Sequence, residues 1–159
     1  MKEVLRVDEQ RRIEVSRDTF QSLDIKIRKG QTIHVWALIG GSGQLQLLPP
    51  NSKLSKQRDR FGERRYPVDW DAAGDARTST YRQLQSFMSV TCHARTQGTK
   101  VRITFPAEAV RVGLFRVPGT LVVATNGQIF EVWSNEKWEQ SAKVSDLRGF
   151  TAAAEQALQ

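Results

Sequence analysis

The sequence predicts a mainly β fold with short helices, arranged as two copies of one unit in tandem. The first observation is an internal repeat: residues 12–18 match residues 102–108 in order and spacing, and residues 43–48 match residues 127–132. The second is that β-branched and aromatic runs follow each match, separated by glycine, proline and asparagine turns. Each copy spans only about fifty residues, near the lower limit for a unit with its own core, so we expect the copies to share one core.

In the first copy, Ser16 is expected to cap a short helix, because its hydroxyl can accept the free amide protons of a first helical turn. A glycine-rich hairpin connection over 40–43 then joins two strands. The elements predicted for this copy are a strand, turn and strand over Val4 to Val15, a helix over Arg17 to Leu23, and strands over Gln31 to Leu38 and Gln44 to Leu48.

The second copy repeats this order. Pro106 can begin a short helix without losing an amide donor, and Asn126-Gly127 is a strong signal for a two-residue hairpin turn. The predicted elements are strands over Ser89 to His93 and Arg102 to Phe105, a helix over Ala107 to Leu114, and strands over Leu121 to Thr125 and Gln128 to Trp133. Matched apolar positions should build the core in both copies: Ile13 with Ile103, Leu45 with Ile129, and Leu48 with Val132.

The chain outside the copies divides into a linker and a tail. The predicted divisions are 1–55 for the first repeat, 56–80 for a basic and mobile linker, 81–140 for a helix and the second repeat, and 141–159 for a helical tail. The helix at the start of the third division is predicted from the spacing of Tyr81, Leu84, Phe87 and Met88. The basic run from Lys53 to Arg65 is interpreted as a solvated linker in preference to a DNA clamp.

The composition favours a polyanionic partner. The net charge is +7 and the isoelectric point about 10, a balance that suits nucleic acid. No apolar run approaches the roughly twenty residues that a membrane span needs, so no membrane association is predicted. The lone Cys92 cannot form an intrachain disulfide and fits a reducing cytoplasm.

Catalysis finds little support in the sequence. Cys92 and His93 are adjacent, and neighbours on a strand point to opposite faces, so they are not expected to form a nucleophile–base pair. Two histidines and one cysteine give no metal-ligand spacing, and no phosphate-loop pattern is present. We therefore predict no enzyme activity, no cofactor, no metal and no small-molecule substrate.

The order Arg-Ile-x-hydrophobic-Pro at 102–106, followed by a short helix and a glycine turn, resembles the AbrB-like (SpoVT/AbrB) swapped-hairpin barrels. Two such units in one chain resemble the MraZ family. The resemblance is most specific over Val101 to Trp138 and covers most of the chain outside Lys56 to Ala76. It implies tandem swapped-hairpin repeats that form a pseudo-two-fold β-barrel. It also implies a cytoplasmic, nucleoid-associated transcriptional regulator that binds double-stranded DNA as a ring-like homo-oligomer.

The resemblance also implies a site. In such proteins each half supplies an Asp-x-x-x-Arg loop, usually with glycine before the arginine. The first copy keeps Asp8 and Arg12 but has Arg11 at the glycine position, whereas the second keeps Arg102 and has Gly98 at the aspartate position. By this resemblance Arg12 and Arg102 are DNA-contact residues, and Asp8 holds Arg12 in place.

The chemistry of arginine supports the same assignment. A guanidinium can bind guanine O6 and N7 through two hydrogen bonds or bridge phosphates, and a turn between strands is narrow enough to enter a major groove. Arg102, without a carboxylate in its own loop, is expected to be looser and more phosphate-directed. Lys100 should add a phosphate contact without reading sequence, and Arg11 is either a further phosphate contact or a surface residue.

A second interpretation stays open. The replaced glycine and the missing carboxylate also fit an AbrB-fold scaffold or an antitoxin-like, partner-binding protein that has lost DNA binding. In that case the tail from Ser141 to Gln159 is the expected docking element.

Overall fold

Eight antiparallel strands carry the fold of residues 2–63 and 87–144, which are the residues that the computed structural model describes. The strands are β1 (Lys2–Val7), β2 (Arg12–Ser16), β3 (Thr32–Ile39), β4 (Leu45–Leu47), β5 (Phe87–Ala94), β6 (Lys100–Thr104), β7 (Gly119–Asn126) and β8 (Ile129–Ser134). The helices are α1 (Arg17–Phe20), which continues into a 3-10 turn over Gln21–Leu23, α2 (Lys53–Glu63), α3 (Ala107–Arg111) and α4 (Asn135–Val144). The prediction of a mainly β fold with short helices is confirmed.

The strands form one sheet that rolls into a nearly closed barrel, in the order β1-β7-β8-β4-β3-β5-β6-β2. Every pairing is antiparallel. The two end strands, β1 and β2, lie beside each other at a seam. They are joined there by a tight turn, in which the Asp8 amide donates to the Arg12 carbonyl at 3.1 Å. The barrel is least closed at this seam, because β1 and β2 are the two ends of the strand order and are not paired by a ladder of backbone hydrogen bonds.

The core follows from the two-residue period of the strands. In β2, Ile13 and Val15 are buried and point inward, whereas Arg12 and Glu14 alternate with them on the outer face. Ile13 lies directly opposite Ile103 of β6, and both belong to a single cluster of buried apolar side chains drawn from both copies. The expected shared core is therefore present, and each such side chain stabilises the fold by about 1.5–3 kcal/mol through burial.

The hairpin between β7 and β8 differs from the prediction by one residue. Asn126 pairs with Ile129, so the turn residues are Gly127 and Gln128, and Gly127 takes the positive φ of 60°. A one-residue shift along a strand moves a side chain to the other face of the sheet. Ile129 is consequently 43% exposed whereas Leu45 is buried, and the predicted match between these two positions is wrong.

Helix α2 corrects the predicted mobile linker. The prediction is wrong for residues 56–63, which are helical; residues 64–80 lie outside the described residues. The helix contacts the barrel through Trp36, whose indole nitrogen donates to Asp59 Oδ1 at 2.7 Å. The guanidinium of Arg58 stacks over the same indole ring, 4.2 Å from its centroid. The basic helix α2 therefore contacts an aromatic side chain of β3.

The predicted helix before the second copy is wrong where it can be compared. Phe87 and Met88 are buried residues of β5, because the strand begins two residues earlier than predicted; Tyr81 and Leu84 lie outside the described residues.

The predicted cap of α1 and the predicted helical tail can also be compared with the structure. The Ser16 hydroxyl caps α1 as predicted, accepting from the Thr19 amide at 3.1 Å. Helix α4 reaches Val144 in the predicted tail, and residues 145–159 lie outside the described part. Among the described residues, no helix is both long and apolar enough to cross a membrane.

Candidate nucleic-acid interface

The predicted site residues Asp8, Arg12, Lys100 and Arg102 meet in a cleft at the seam of the barrel, whereas Arg11 does not line it. Strands β2 and β6 pair with Glu14 opposite Arg102, and Ile13, Val101 and Ile103 occupy the inward positions. The charged side chains between these positions therefore share the outer face. A cleft of about 390 Å³ opens there. Its lining residues are Leu5, Arg6, Asp8, Arg12, Glu14, Lys100 and Arg102.

The Asp8 carboxylate organises the turn between β1 and β2. Its Oδ1 accepts from the backbone amides of Gln10 at 3.0 Å and Arg12 at 2.9 Å. Its Oδ2 accepts from Nε of Arg12 at 2.8 Å, and the Gln10 side-chain oxygen accepts from Nη2 of the same guanidinium at 3.0 Å. Asp8 thus fixes both the backbone of the turn and the direction of the Arg12 side chain, as predicted.

The same contacts set the charge of Asp8. Partial desolvation works to raise the pKa of Asp8, but the backbone hydrogen bond from Arg12, its side-chain hydrogen bond and its positive charge outweigh this, so that the pKa lies below its usual value of 3.8. The carboxylate is therefore ionised at any working pH, and the pair with Arg12 persists throughout that range.

Arg11, predicted as either a further phosphate contact or a surface residue, makes hydrogen bonds within the protein. Its φ is +64°, the left-handed conformation that favours glycine and that costs another residue about 1–2 kcal/mol. Its Nε donates to the Phe105 carbonyl at 3.0 Å, and its own carbonyl accepts from the Phe105 amide at 2.9 Å. Arg11 therefore ties the turn to the end of β6, which explains how arginine replaces glycine at this position.

Arg102 is not left without a carboxylate. Its Nη2 lies 3.5 Å from Oε1 of Glu14 on the facing strand, and Nη1 of Arg95 donates to the same oxygen at 2.9 Å. Arg102 has no carboxylate in its own loop, but antiparallel pairing supplies one from the other copy. The loop of the second copy itself turns through Gly98, with φ of +86° and no atom close to where a Cβ would lie.

Cationic side chains outnumber carboxylates in the cleft. The cations are Arg6, Arg12, Lys100 and Arg102, and the carboxylates are Asp8 and Glu14. Sequence reasoning missed Arg6 and Glu14, as well as Arg95 beside them. The alternation of inward and outward positions in β1 and β2 was the available signal, but it locates these residues only once the pairing across the seam is known.

Cys92 and His93 stand apart, as predicted. Cys92 is fully buried, and desolvation raises the pKa of its thiol to about 12. His93 lies on the opposite face of β5, where its Nδ1 and the Thr32 hydroxyl form a 2.8 Å hydrogen bond. Within residues 2–63 and 87–144, no group of three or more histidine, cysteine or acidic side chains is arranged to hold a metal ion.

Compared with models of known protein families and with the sequences of curated proteins, the chain matches none at a significant level. The geometry of the cleft therefore carries the functional argument. A cleft with four cations, one of them held rigidly by an aspartate, can bind a polyanion and can present a directed guanidinium to it.

Proposed function

We propose that this protein is a DNA-binding transcriptional regulator of the MraZ type, and that the cleft at the seam contacts the duplex. The observation that carries the proposal is the pairing of two arginines, Arg12 held by Asp8 and Arg102 held by Glu14, on adjacent strands of one basic cleft. The binding of a polyanion such as DNA is dominated by contacts between cationic side chains and phosphates. Guanidinium groups can add hydrogen bonds to base edges.

Arg12 is suited to sequence reading. A guanidinium has five N–H groups, and the contacts to Asp8 and Gln10 use one on Nε and one on Nη2. The remaining three N–H groups can donate hydrogen bonds to a ligand. Because the side chain is already fixed, less conformational entropy is lost when it binds. Arg102 is held at a longer distance, 3.5 Å against 2.8 Å, and suits a phosphate contact better.

The strand pairings support the tandem swapped-hairpin architecture that the proposal includes. If β1 to β4 are exchanged with β5 to β8 in order, then β1–β7 becomes β5–β3, β7–β8 becomes β3–β4, and β2–β6 and β4–β8 become themselves. The lateral contact of β1 with β2 takes the place of β5–β6. Arg12 and Arg102, which the sequence repeat matches, lie on the two exchanged strands β2 and β6, with Arg12 opposite Thr104 and Arg102 opposite Glu14.

The proposal includes assembly of the chain into a homo-oligomer in the cytoplasm, associated with the nucleoid. A single cleft offers few contacts, so its affinity for a duplex is expected to be modest. Several clefts on one assembly raise the apparent affinity for repeated DNA sites through effective concentration, without any new contact.

The test is binding of the purified protein to labelled duplex from its own upstream region, followed by fluorescence anisotropy over a series of salt concentrations. Each neutralised phosphate contributes about −0.9 to the slope of log K against log salt. If the four cations of one cleft are used, the slope is about −3 to −4 per protomer. Absence of a complex at low salt would exclude the proposal.

A partner-binding scaffold with the same fold is the second candidate. It is favoured by one observation: Arg11, Arg12 and Arg102 all have acceptors within the chain itself. For this candidate the oligomer mass is the same with and without DNA, whereas the leading proposal predicts a mass increase when duplex is added.

A further inference from the structure

We propose that Glu14 limits the affinity of the cleft for DNA, by pairing with two arginines and by repelling the phosphates that approach them. This inference rests on the proposed DNA-binding function and assigns a role to a residue outside the Asp-x-x-x-Arg pattern. Glu14 lies on β2, two residues after Arg12 and directly opposite Arg102.

The contacts of Glu14 differ in kind from those of Asp8. Asp8 accepts from two backbone amides and is part of the structure of its turn. Among the described residues, the Glu14 carboxylate contacts only side chains, and both are guanidinium groups: Nη1 of Arg95 at 2.9 Å and Nη2 of Arg102 at 3.5 Å from one oxygen. Glu14 is therefore dispensable for the backbone and acts on the arginines alone.

The position of Glu14 makes its charge felt by any ligand. It lines the cleft together with Arg12, Lys100 and Arg102, and its side chain is 38% exposed. A phosphate bound to those cations lies within the Debye length of the carboxylate, about 8 Å at physiological salt, so the repulsion is only partly screened. At the same time, the Glu14 carboxylate competes with a phosphate for Arg95 and Arg102 and partly offsets their positive charge.

Both effects act on phosphates, which every DNA sequence presents. A non-cognate duplex offers only phosphates, so its binding is reduced by the full repulsion and by the competition for Arg95 and Arg102. A cognate duplex presents the same phosphates and also gains base-edge hydrogen bonds from the arginine held in place by Asp8, which Glu14 does not contact. Since selectivity is a difference of affinities, a penalty shared by both duplexes cancels, and the carboxylate lowers total affinity without changing selectivity.

The experiment compares Glu14→Gln with Glu108→Gln. Both changes remove one negative charge and keep the side-chain shape, but Glu108 pairs with Arg111 on α3 at 3.0 Å and lies outside the cleft. Both glutamates are partly exposed, so both variants should fold. The probes are a random-sequence duplex and a duplex selected by the wild-type protein from a randomised pool, each titrated over a series of salt concentrations.

We expect Glu14→Gln to bind the random duplex roughly three- to tenfold more tightly, with a salt slope steeper by about one. Affinity for the selected duplex should rise by a similar factor, so that the ratio between the two probes stays nearly unchanged. Glu108→Gln should match the wild type within about twofold, as for a distant exposed charge. Equal behaviour of the two variants would overturn the role of Glu14 while leaving DNA binding intact. Failure of every form to bind either duplex would instead overturn the proposed function, and this inference with it.

Discussion

Arg12→Ala is expected to weaken binding to a selected duplex by about 1–3 kcal/mol and to reduce the preference for that duplex over random sequence. The reason is that Arg12 is the arginine fixed by a carboxylate at 2.8 Å, and a fixed guanidinium is the group able to read a base edge. Arg102→Ala should weaken binding to selected and random duplexes by similar factors, because Arg102 is held less closely and is proposed to contact phosphate. Anisotropy titrations with both duplexes measure the two effects.

Arg111→Ala is the matched control for these two variants. Arg111 lies on α3, outside the cleft, and its side chain is 74% exposed. Its replacement by alanine changes the net charge by the same amount as each of the other two substitutions. If Arg111→Ala lowers affinity as much as Arg12→Ala does, then the binding reflects only net charge and the site assignment is wrong.

Phe105→Ala is expected to lower the free energy of unfolding by about 3–5 kcal/mol, the usual loss for a large buried aromatic side chain. Phe105 is 1% exposed and packs edge-to-face against Phe115, with ring centroids 5.2 Å apart. Its side chain lies in the core shared by both copies. Denaturant titration followed by tryptophan fluorescence gives the change in unfolding free energy.

Ile129→Ala provides the comparison for Phe105→Ala. Ile129 was matched to a core residue by the sequence repeat, but it is 43% exposed, so its loss should cost well under about 1.5 kcal/mol. A similar cost for the two variants would contradict the strand register of β8, and with it the one-residue shift of the hairpin turn.

The sequence predicted the fold well where periodicity and turn chemistry agree. Ile13 and Ile103 were matched as core residues, and they are direct partners across β2 and β6. The register of β8 could not be predicted, because Asn126-Gly127 and Gly127-Gln128 both satisfy the glycine requirement of a two-residue turn. The choice between them depends on the pairing of β7 with β8, which is a tertiary property.

The contacts at the candidate site could be predicted only in part, for a related reason. Asp8 and Arg12 are four residues apart, so their contact is local and is visible in the sequence. The contact of Glu14 with Arg102 joins residues 88 positions apart and exists only because β2 pairs with β6 in one register. In the same way, Arg11 contacts Phe105 across 94 positions. From the sequence, Arg11 was therefore either a phosphate contact or a surface residue, and no carboxylate was expected beside Arg102.

Hydrogen exchange of the protein with and without duplex is the most direct test of whether the cleft at the seam binds DNA, because it reports where on the chain the DNA lies. We expect slower exchange in the turn of residues 8–11 and in the loop of residues 95–99, the two segments that border the cleft. The hairpin turn at Gly127 and Gln128 should be unchanged. Protection by DNA that avoids both 8–11 and 95–99 would contradict the assignment of the seam as the DNA-binding surface.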